Sequence, residues 1–322
     1  MMTLEGSSTL RQRFHQLFYN EKFLIGASLA RISFGFIMLY YYLIHYTQRY
    51  FIWSYEGIIN EHLSDKESFS LYNFSTSSMY FDIVYHVSIL IAILYLCGYK
   101  TRITSILFFI TTYSILQRNF LVADGGDNLV INILFFLMFA NTYAYFSFDS
   151  AKWRARSDRR NNLFHLVLAL VHNMAIIACV VQLCILYLTA GFYQVMGESW
   201  NSGVAIYYIF QVDEYANPFI RDLVINHDIL IFLGNYFSII IKIAFPFLLF
   251  NRYTKYLAVV GIAFFHIGIA IGMGLVTFSL IMLTSDLLII GDQDFRWMKS
   301  KWLQLIGFMR NKIRRLPSST NS

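Results

Sequence analysis

Basic side chains in this chain fall in every second gap between long apolar runs, and that alternation limits what it can fold into. Arg11, Arg13 and Lys22 precede the first run, Lys100 and Arg102 follow the second, and Lys152, Arg154, Arg156, Arg159 and Arg160 follow the fourth. Arg252 and Lys255 follow the sixth, and Arg296, Lys299, Lys301, Arg310, Lys312, Arg314 and Arg315 follow the last. Only Arg49, Lys66, Arg118 and Arg221 occupy the intervening gaps, while Arg31 and Lys242 lie inside runs. Short loops rich in Lys and Arg stay on the cytoplasmic side of a membrane, so the pattern predicts an even number of spans with both ends inside.

Composition agrees with that reading. With 57% hydrophobic and 14% charged residues, the chain is too apolar for a water-soluble globule. Its net charge of +6 is divided by membrane side and forms no single patch with base-stacking aromatics. Nucleic acid is therefore not expected as a partner, and anionic lipid of the inner leaflet is. The acidic residues show the mirror pattern, from Glu56, Asp82, Asp124 and Asp127 to Glu198, Asp213, Glu214, Asp222 and Asp228. Cys97, Cys179 and Cys184 sit in or at the ends of apolar runs, with neither a disulfide framework nor zinc spacing, and read as small apolar fillers. No metal is expected.

A spanning helix needs about 20 mostly apolar residues. Runs of that kind lie at 24–46, 80–98, 102–118, 128–146, 164–190, 229–250, 255–272 and 274–290, predicting an all-α polytopic membrane bundle of about eight transmembrane helices. The last two abut, with Gly272 and Gly274 as the turn; a broken or re-entrant pair is the alternative. Around them lie a cytoplasmic segment at 1–23 and a basic tail at 291–322. In that tail 296–315 alternates apolar and basic residues at helical spacing, as in an amphipathic helix lying on the inner leaflet. Two long segments, 47–79 and 191–228, face outward. The first is rich in aromatics and suits an interfacial lid. The second contains an apolar stretch at 203–215 too short to span.

Charges in hydrocarbon are costly and are usually paired or functional. Arg31, Lys242 and Asp286, counted at ~1.5 Å per residue along their runs, fall at comparable depth in the cytoplasmic half. They read as one intramembrane charge cluster, either a structural ion pair or a relay. His172 and His266 lie inside runs, each read first as a hydrogen-bonded neutral imidazole. At the outer end, QRNFLVADGGDN (117–128) places carboxylates at the mouth of the fourth run, with Asp127 as a helix N-cap. TAGFYQVMGESWNSG (189–203) offers Tyr193, Gln194, Glu198 and Trp200 among small residues. Neither is a phosphate loop, and no hydrolase ordering or HExxH motif is present.

LARISFG (29–35), GYKTRIT (98–104), QRNFLVADGGDN (117–128), AGFYQVMGESWNSG (190–203), SIIIKIAFPFLLF (238–250) and HIGIAIGMGLVTFS (266–279) occur in order. Together they resemble the horizontally transferred transmembrane (HTTM) domain, the membrane module of vitamin K-dependent γ-carboxylase and its bacterial relatives, over roughly 24–290. Within that superfamily the size and the stretch WNSGVAIYYIFQVDEY (200–215) most resemble the sporulation-delaying protein B group. The resemblance implies a role in maturing a secreted peptide toxin, with the toxin precursor and a smaller soluble partner as associates. It also implies where carboxylase chemistry departs. The carboxylase stretch matching AGFYQVMGESW carries a catalytic lysine, whereas Tyr193 and Gln194 stand in the matching places here. Neither an amide nor a phenol with a pKa near 10 readily deprotonates a reduced quinone at neutral pH, so no quinone cofactor is expected.

The resulting expectation is a bacterial cytoplasmic membrane protein working on an exported peptide at its outer face. Its reactive residues would be Asp127, Tyr193, Gln194 and His266, and its substrate contacts Glu198, Trp200, Tyr207 and Asp213. Whether a covalent step occurs stays open. A carboxylase-type enzyme and a non-catalytic toxin-binding or immunity protein remain the rivals.

Overall fold

The computed structural model describes residues 20–59, 69–157 and 163–314. Most of the N-terminal segment 1–23, the end of the tail, and Arg11, Arg13, Arg159, Arg160 and Arg315 of the charge pattern lie outside the described residues. The chain is all-α among those residues. Its helices are α1 (Leu24–Ile44), α2 (Arg49–Trp53), α3 (Ser78–Cys97), α4 (Thr101–Leu116), α5 (Gly125–Leu137), α6 (Ser150–Ser157) and α7 (Leu163–Met196), followed by α8 (Glu198–Asn201), α9 (Ala205–Ile209), α10 (Pro218–Ile225), α11 (Asp228–Leu248), α12 (Thr254–Met273), α13 (Val276–Asp286) and α14 (Asp292–Arg314). Short 3₁₀ turns lie at Leu71–Phe74, Phe120–Val122 and Leu287–Ile289.

Every expected apolar run forms a helix, but fewer are full spans. Among the described residues, α1, α3, α7, α11 and α12 are long and apolar enough to cross a bilayer, and a sixth span counts if the bent pair 276–289 and 292–309 is taken as one. The 16 residues of α4 and the 13 of α5 reach only about 24 and 20 Å, short of the ~30 Å of hydrocarbon. The fourth apolar run extends to 146, yet α5 stops at Leu137, and the backbone from 139 to 149 is irregular. Irregular backbone survives at membrane depth only when its polar groups are satisfied by protein. Here Asn141 N donates to His172 Nδ1 (2.9 Å), Tyr145 N donates to Ser28 Oγ (3.2 Å), and two carbonyls of the segment meet Arg31. Wholly buried, it donates Nε to Thr142 O (3.0 Å), Nη2 to Phe146 O (2.6 Å), and Nη1 to Tyr95 O (2.7 Å) and Leu96 O.

These contacts define a basic end of the bundle. There Asp149 accepts from Thr101 N (2.7 Å), Asp292 from Leu24 N (3.2 Å) and Ile25 N (2.7 Å), and Lys255 pairs with Asp294 (3.1 Å). His172 accepts from Asn141 N at Nδ1 (2.9 Å) and reaches Lys22 O with Nε2 (2.7 Å), a structural link between segments. The opposite, distal end carries the segments around 45–59, 69–77, 117–124 and 197–227. Its aromatic segments are tied together by side-chain contacts. Arg118 Nε donates to Trp53 O (3.0 Å), Asn119 Nδ2 to Ile52 O (2.8 Å), and the Arg118 guanidinium stacks 4.1 Å from the Tyr55 ring centre.

The seventh and eighth runs form a tight hairpin. Gly274 closes α12 at φ +67, a conformation glycine adopts without a Cβ penalty, and α13 returns beside α12. The apolar stretch at 203–215 becomes α9 and a turn seated on the end of α12, where Asn217 N donates to Gly272 O (2.8 Å). Lipid tails are as apolar as leucine, so close packing and internal hydrogen bonds, rather than burial alone, hold such a bundle together.

Candidate functional site

Four helices, α7, α11, α12 and α13, enclose a seam of polar side chains that starts at the distal end and runs into the bundle. At its mouth α7 ends at Met196, and α8 brings Trp200 against α11, where Asn235 Nδ2 donates to Trp200 O (2.8 Å). One turn deeper, Ser238 Oγ accepts from both Gln194 Nε2 (3.1 Å) and Lys242 Nζ (2.9 Å). The Lys242 amine lies 4.3 Å from the Phe265 ring centre and 5.8 Å from that of Trp200, within cation–π range. Beyond it, His266 Nε2 lies 3.3 Å from the Tyr187 hydroxyl, which also neighbours the Asp286 carboxyl. Asn235, Ser238, Tyr187, His266 and Asp286 are buried, and Lys242 is 8% exposed.

Local sequence explains the seam. Asn235, Ser238 and Lys242 stand at i, i+3 and i+7 and therefore share one face of α11. Gly191 lets α7 close on that face; a Cβ there would lie 2.7 Å from Ile243 Cγ1. Pro246 has no N–H to give the Lys242 carbonyl, so the α11 ladder is open at the residue that carries the amine. Several atoms along the seam lack a hydrogen-bond partner among the described residues: Asn235 Oδ1, His266 Nδ1 and Ser279 Oγ. Each such group costs about 1–3 kcal/mol when buried, so the seam is chemically disposed to exchange hydrogen bonds with a polar guest.

The expected site residues are only partly brought together. Gln194, Trp200 and His266 line the seam. Tyr193, next to Gln194 on the helix, is 75% exposed and turned away from it. Glu198, Tyr207 and Asp213 lie on the exposed distal surface, with Asp213 paired to Arg221 (2.5 Å). Asp127 belongs to the start of α5. Asp124, not Asp127, is the N-cap there, and Asp127 Oδ2 returns a hydrogen bond from Asp124 N (3.1 Å) in a capping box.

Arg31, Lys242 and Asp286 do not form one cluster; no ion pair among the described residues includes any of them. Counting depth along the backbone ignored side-chain direction, which in a helix leans toward the N-terminus. α1 starts at the basic end, so Arg31 reaches that way. α11 and α13 start at the distal end, so Lys242 and Asp286 lean distally, and Lys242 meets Trp200 and the Gln194–Ser238 pair. Ser238, Asn235, Tyr187 and Phe265 were not anticipated. The polar i, i+3, i+7 stripe on an otherwise apolar α11 is the signal that marks the first two.

A separate groove of about 470 Å³ lies between α2 and α3, lined by Tyr50, Ser78, Met79, Asp82, Ile83 and His86. Asp82 accepts from Arg49 Nε (2.9 Å) and from the Tyr50 hydroxyl. The hydrogen bond to Asp82 is the largest influence on both Arg49 and Tyr50 and raises the pKa of each above its ordinary value.

Comparison with known proteins gives distant relatives. The sporulation-delaying protein SdpB of Bacillus subtilis (strain 168) is 27% identical over 267 residues, covering 80% of this chain and 78% of SdpB. A second B. subtilis protein, the uncharacterized YitO, is 25% identical over 203 residues, 61% of this chain and 62% of YitO. No family model matches, so the HTTM resemblance has no support from that comparison, and no solved structure matches.

Proposed function

We propose that this chain is a bacterial cytoplasmic membrane protein that takes part in maturing an exported, sporulation-delaying-type peptide toxin. Its basic end faces the cytoplasm, and its seam of polar side chains opens on the outer face. The similarity to SdpB supports the process. One observation carries the site: the buried Lys242 amine is held by Ser238 beside Gln194 and Trp200, with no carboxylate partner among the described residues. An unpaired ionisable group inside a bundle marks a site that meets a substrate. The peptide enters past Trp200 and exchanges hydrogen bonds with Gln194, Asn235 and Lys242.

A second reading, a covalent modifying step, is favoured by the same lysine. Sequence comparison left no amine near Gln194, and α11 supplies one from a neighbouring helix. Comparing the intact mass and termini of the secreted peptide from cells with and without this chain tests both readings. A mass difference identifies a reaction. Unchanged mass with lost secretion leaves a binding role, and an unchanged, fully secreted peptide overturns the proposal.

A further inference from the structure

We infer that α14 is a lipid-recognition helix that lies in the plane of the bilayer at the basic end and binds anionic phospholipid. The helix leaves the preceding 276–289 segment at 105°, so if that segment runs across the membrane, α14 runs nearly along its surface. Its first turn is fixed at a defined depth. Asp292 accepts from Leu24 N and Ile25 N at the start of α1, and Asp294 holds Lys255 at the start of α12 (3.1 Å). Both contacts are at helix beginnings, where the hydrocarbon gives way to headgroups.

Beyond that first turn none of the described residues covers the helix. Every side chain from Arg296 to Met309 is exposed, including Trp302, Leu305, Ile306 and Met309. Phe295, Met298, Trp302, Leu305, Ile306 and Met309 recur at helical spacing and form one apolar stripe. Lys299 and Lys301 border the stripe on opposite sides, about 20° and about 40° from its edges, counted at ~100° per residue. That arrangement fits a bilayer surface. The stripe sinks to the level of the acyl chains while both lysine stems run along it and lift their ammonium groups to phosphate. A soluble protein partner needs no cationic border on both sides of its anchor. α6, with Lys152 and Arg154 exposed at the same end, extends the basic margin.

The test uses the full-length protein at one copy per lipid nanodisc, with phosphatidylcholine brominated in the acyl chain and increasing phosphatidylglycerol. Subtracting the emission of a Trp297→Phe/Trp302→Phe variant isolates the tail signal. The expected result is quenching of that signal that rises with phosphatidylglycerol. In Lys299→Gln/Lys301→Gln the phosphatidylglycerol dependence weakens by about fivefold per lysine, since each cation near an anionic surface is worth about 1 kcal/mol. Tail emission that acyl-chain bromine does not quench overturns the inference, as does quenching indifferent to phosphatidylglycerol. Quenching that appears only in discs holding two copies assigns the stripe to self-association and overturns it as well.

Discussion

The Lys242 amine sits 4.3 Å from the centre of the Phe265 ring, and its one hydrogen bond among the described residues goes to Ser238 on its own helix. A buried cation held this way contributes little to folding, because an apolar residue of similar volume is often neutral or stabilising in its place. Lys242→Met should therefore accumulate normally, with a thermal midpoint equal to or above that of the parent, while peptide maturation falls at least ~10-fold, equivalent to about 1.4 kcal/mol. A variant that unfolds, or one that matures peptide at the parental rate, removes Lys242 from the site. Quantitative mass spectrometry of the medium beside thermal unfolding in detergent makes the distinction.

Arg31 has the opposite character. Its guanidinium meets four backbone carbonyls, of which Tyr95 O also accepts from Gly98 N, so Arg31→Met should lose several kcal/mol at about 1–3 kcal/mol for each of the others. Arg31→Lys should recover only part, because an ammonium lacks the planar fork. Thermal unfolding of the purified variants checks both. Parental stability in Arg31→Met would show that water or a neighbouring group replaces the clasp.

Gly191 sets the distance between α7 and α11. Gly191→Ile should force the helices apart at Ile243, cost about 1–3 kcal/mol by overpacking, and separate Gln194 from Ser238. Disulfide formation between cysteines placed at 194 and 238 reports the separation. It should be efficient in the parent background and lost with Gly191→Ile, and equal efficiency in both contradicts the packing.

The anchor of α14 should respond to acid. Burial alone would raise the Asp294 pKa, but hydrogen bonds from Tyr256 and Lys255 outweigh it and hold the carboxyl below its ordinary value. A carboxylate lowered in the folded state stabilises the docked form above its free pKa of about 3.9 and gives up that stability as pH falls through the lower, folded value. Hydrogen exchange in the first turn of α14 should accelerate only below about pH 4, and Asp294→Asn should exchange fast at every pH. Acceleration beginning near neutral pH would assign the anchor to another group.

Much of the bundle was legible in the sequence because apolar length and Gly–Gly spacing are local properties; α1, α3, α7, α11 and the α12–α13 hairpin all follow from them. The sequence extends α5 too far because the residues from 138 to 146 are apolar enough for a span, and the side chains that make their irregular backbone tolerable, Ser28, Arg31 and His172, are remote in sequence. The site was less legible. Gln194, Trp200 and His266 lie on the seam, but Tyr193 and Asp127 share with them only sequence proximity to glycines and acids. Facing direction decides such membership, and one residue along a helix turns a side chain by about 100°. Lys242 was placed by backbone depth, whereas its side chain carries the amine distally to Trp200.

The most direct test of the account places a photo-crosslinking amino acid at position 200 or at position 250 and expresses each variant with the exported peptide precursor. Crosslinks to the precursor from position 200, at the mouth of the seam, and none from position 250, at the basic end, are the predicted result. Crosslinks from position 250 alone, or from neither position in protein that accumulates normally, would contradict it.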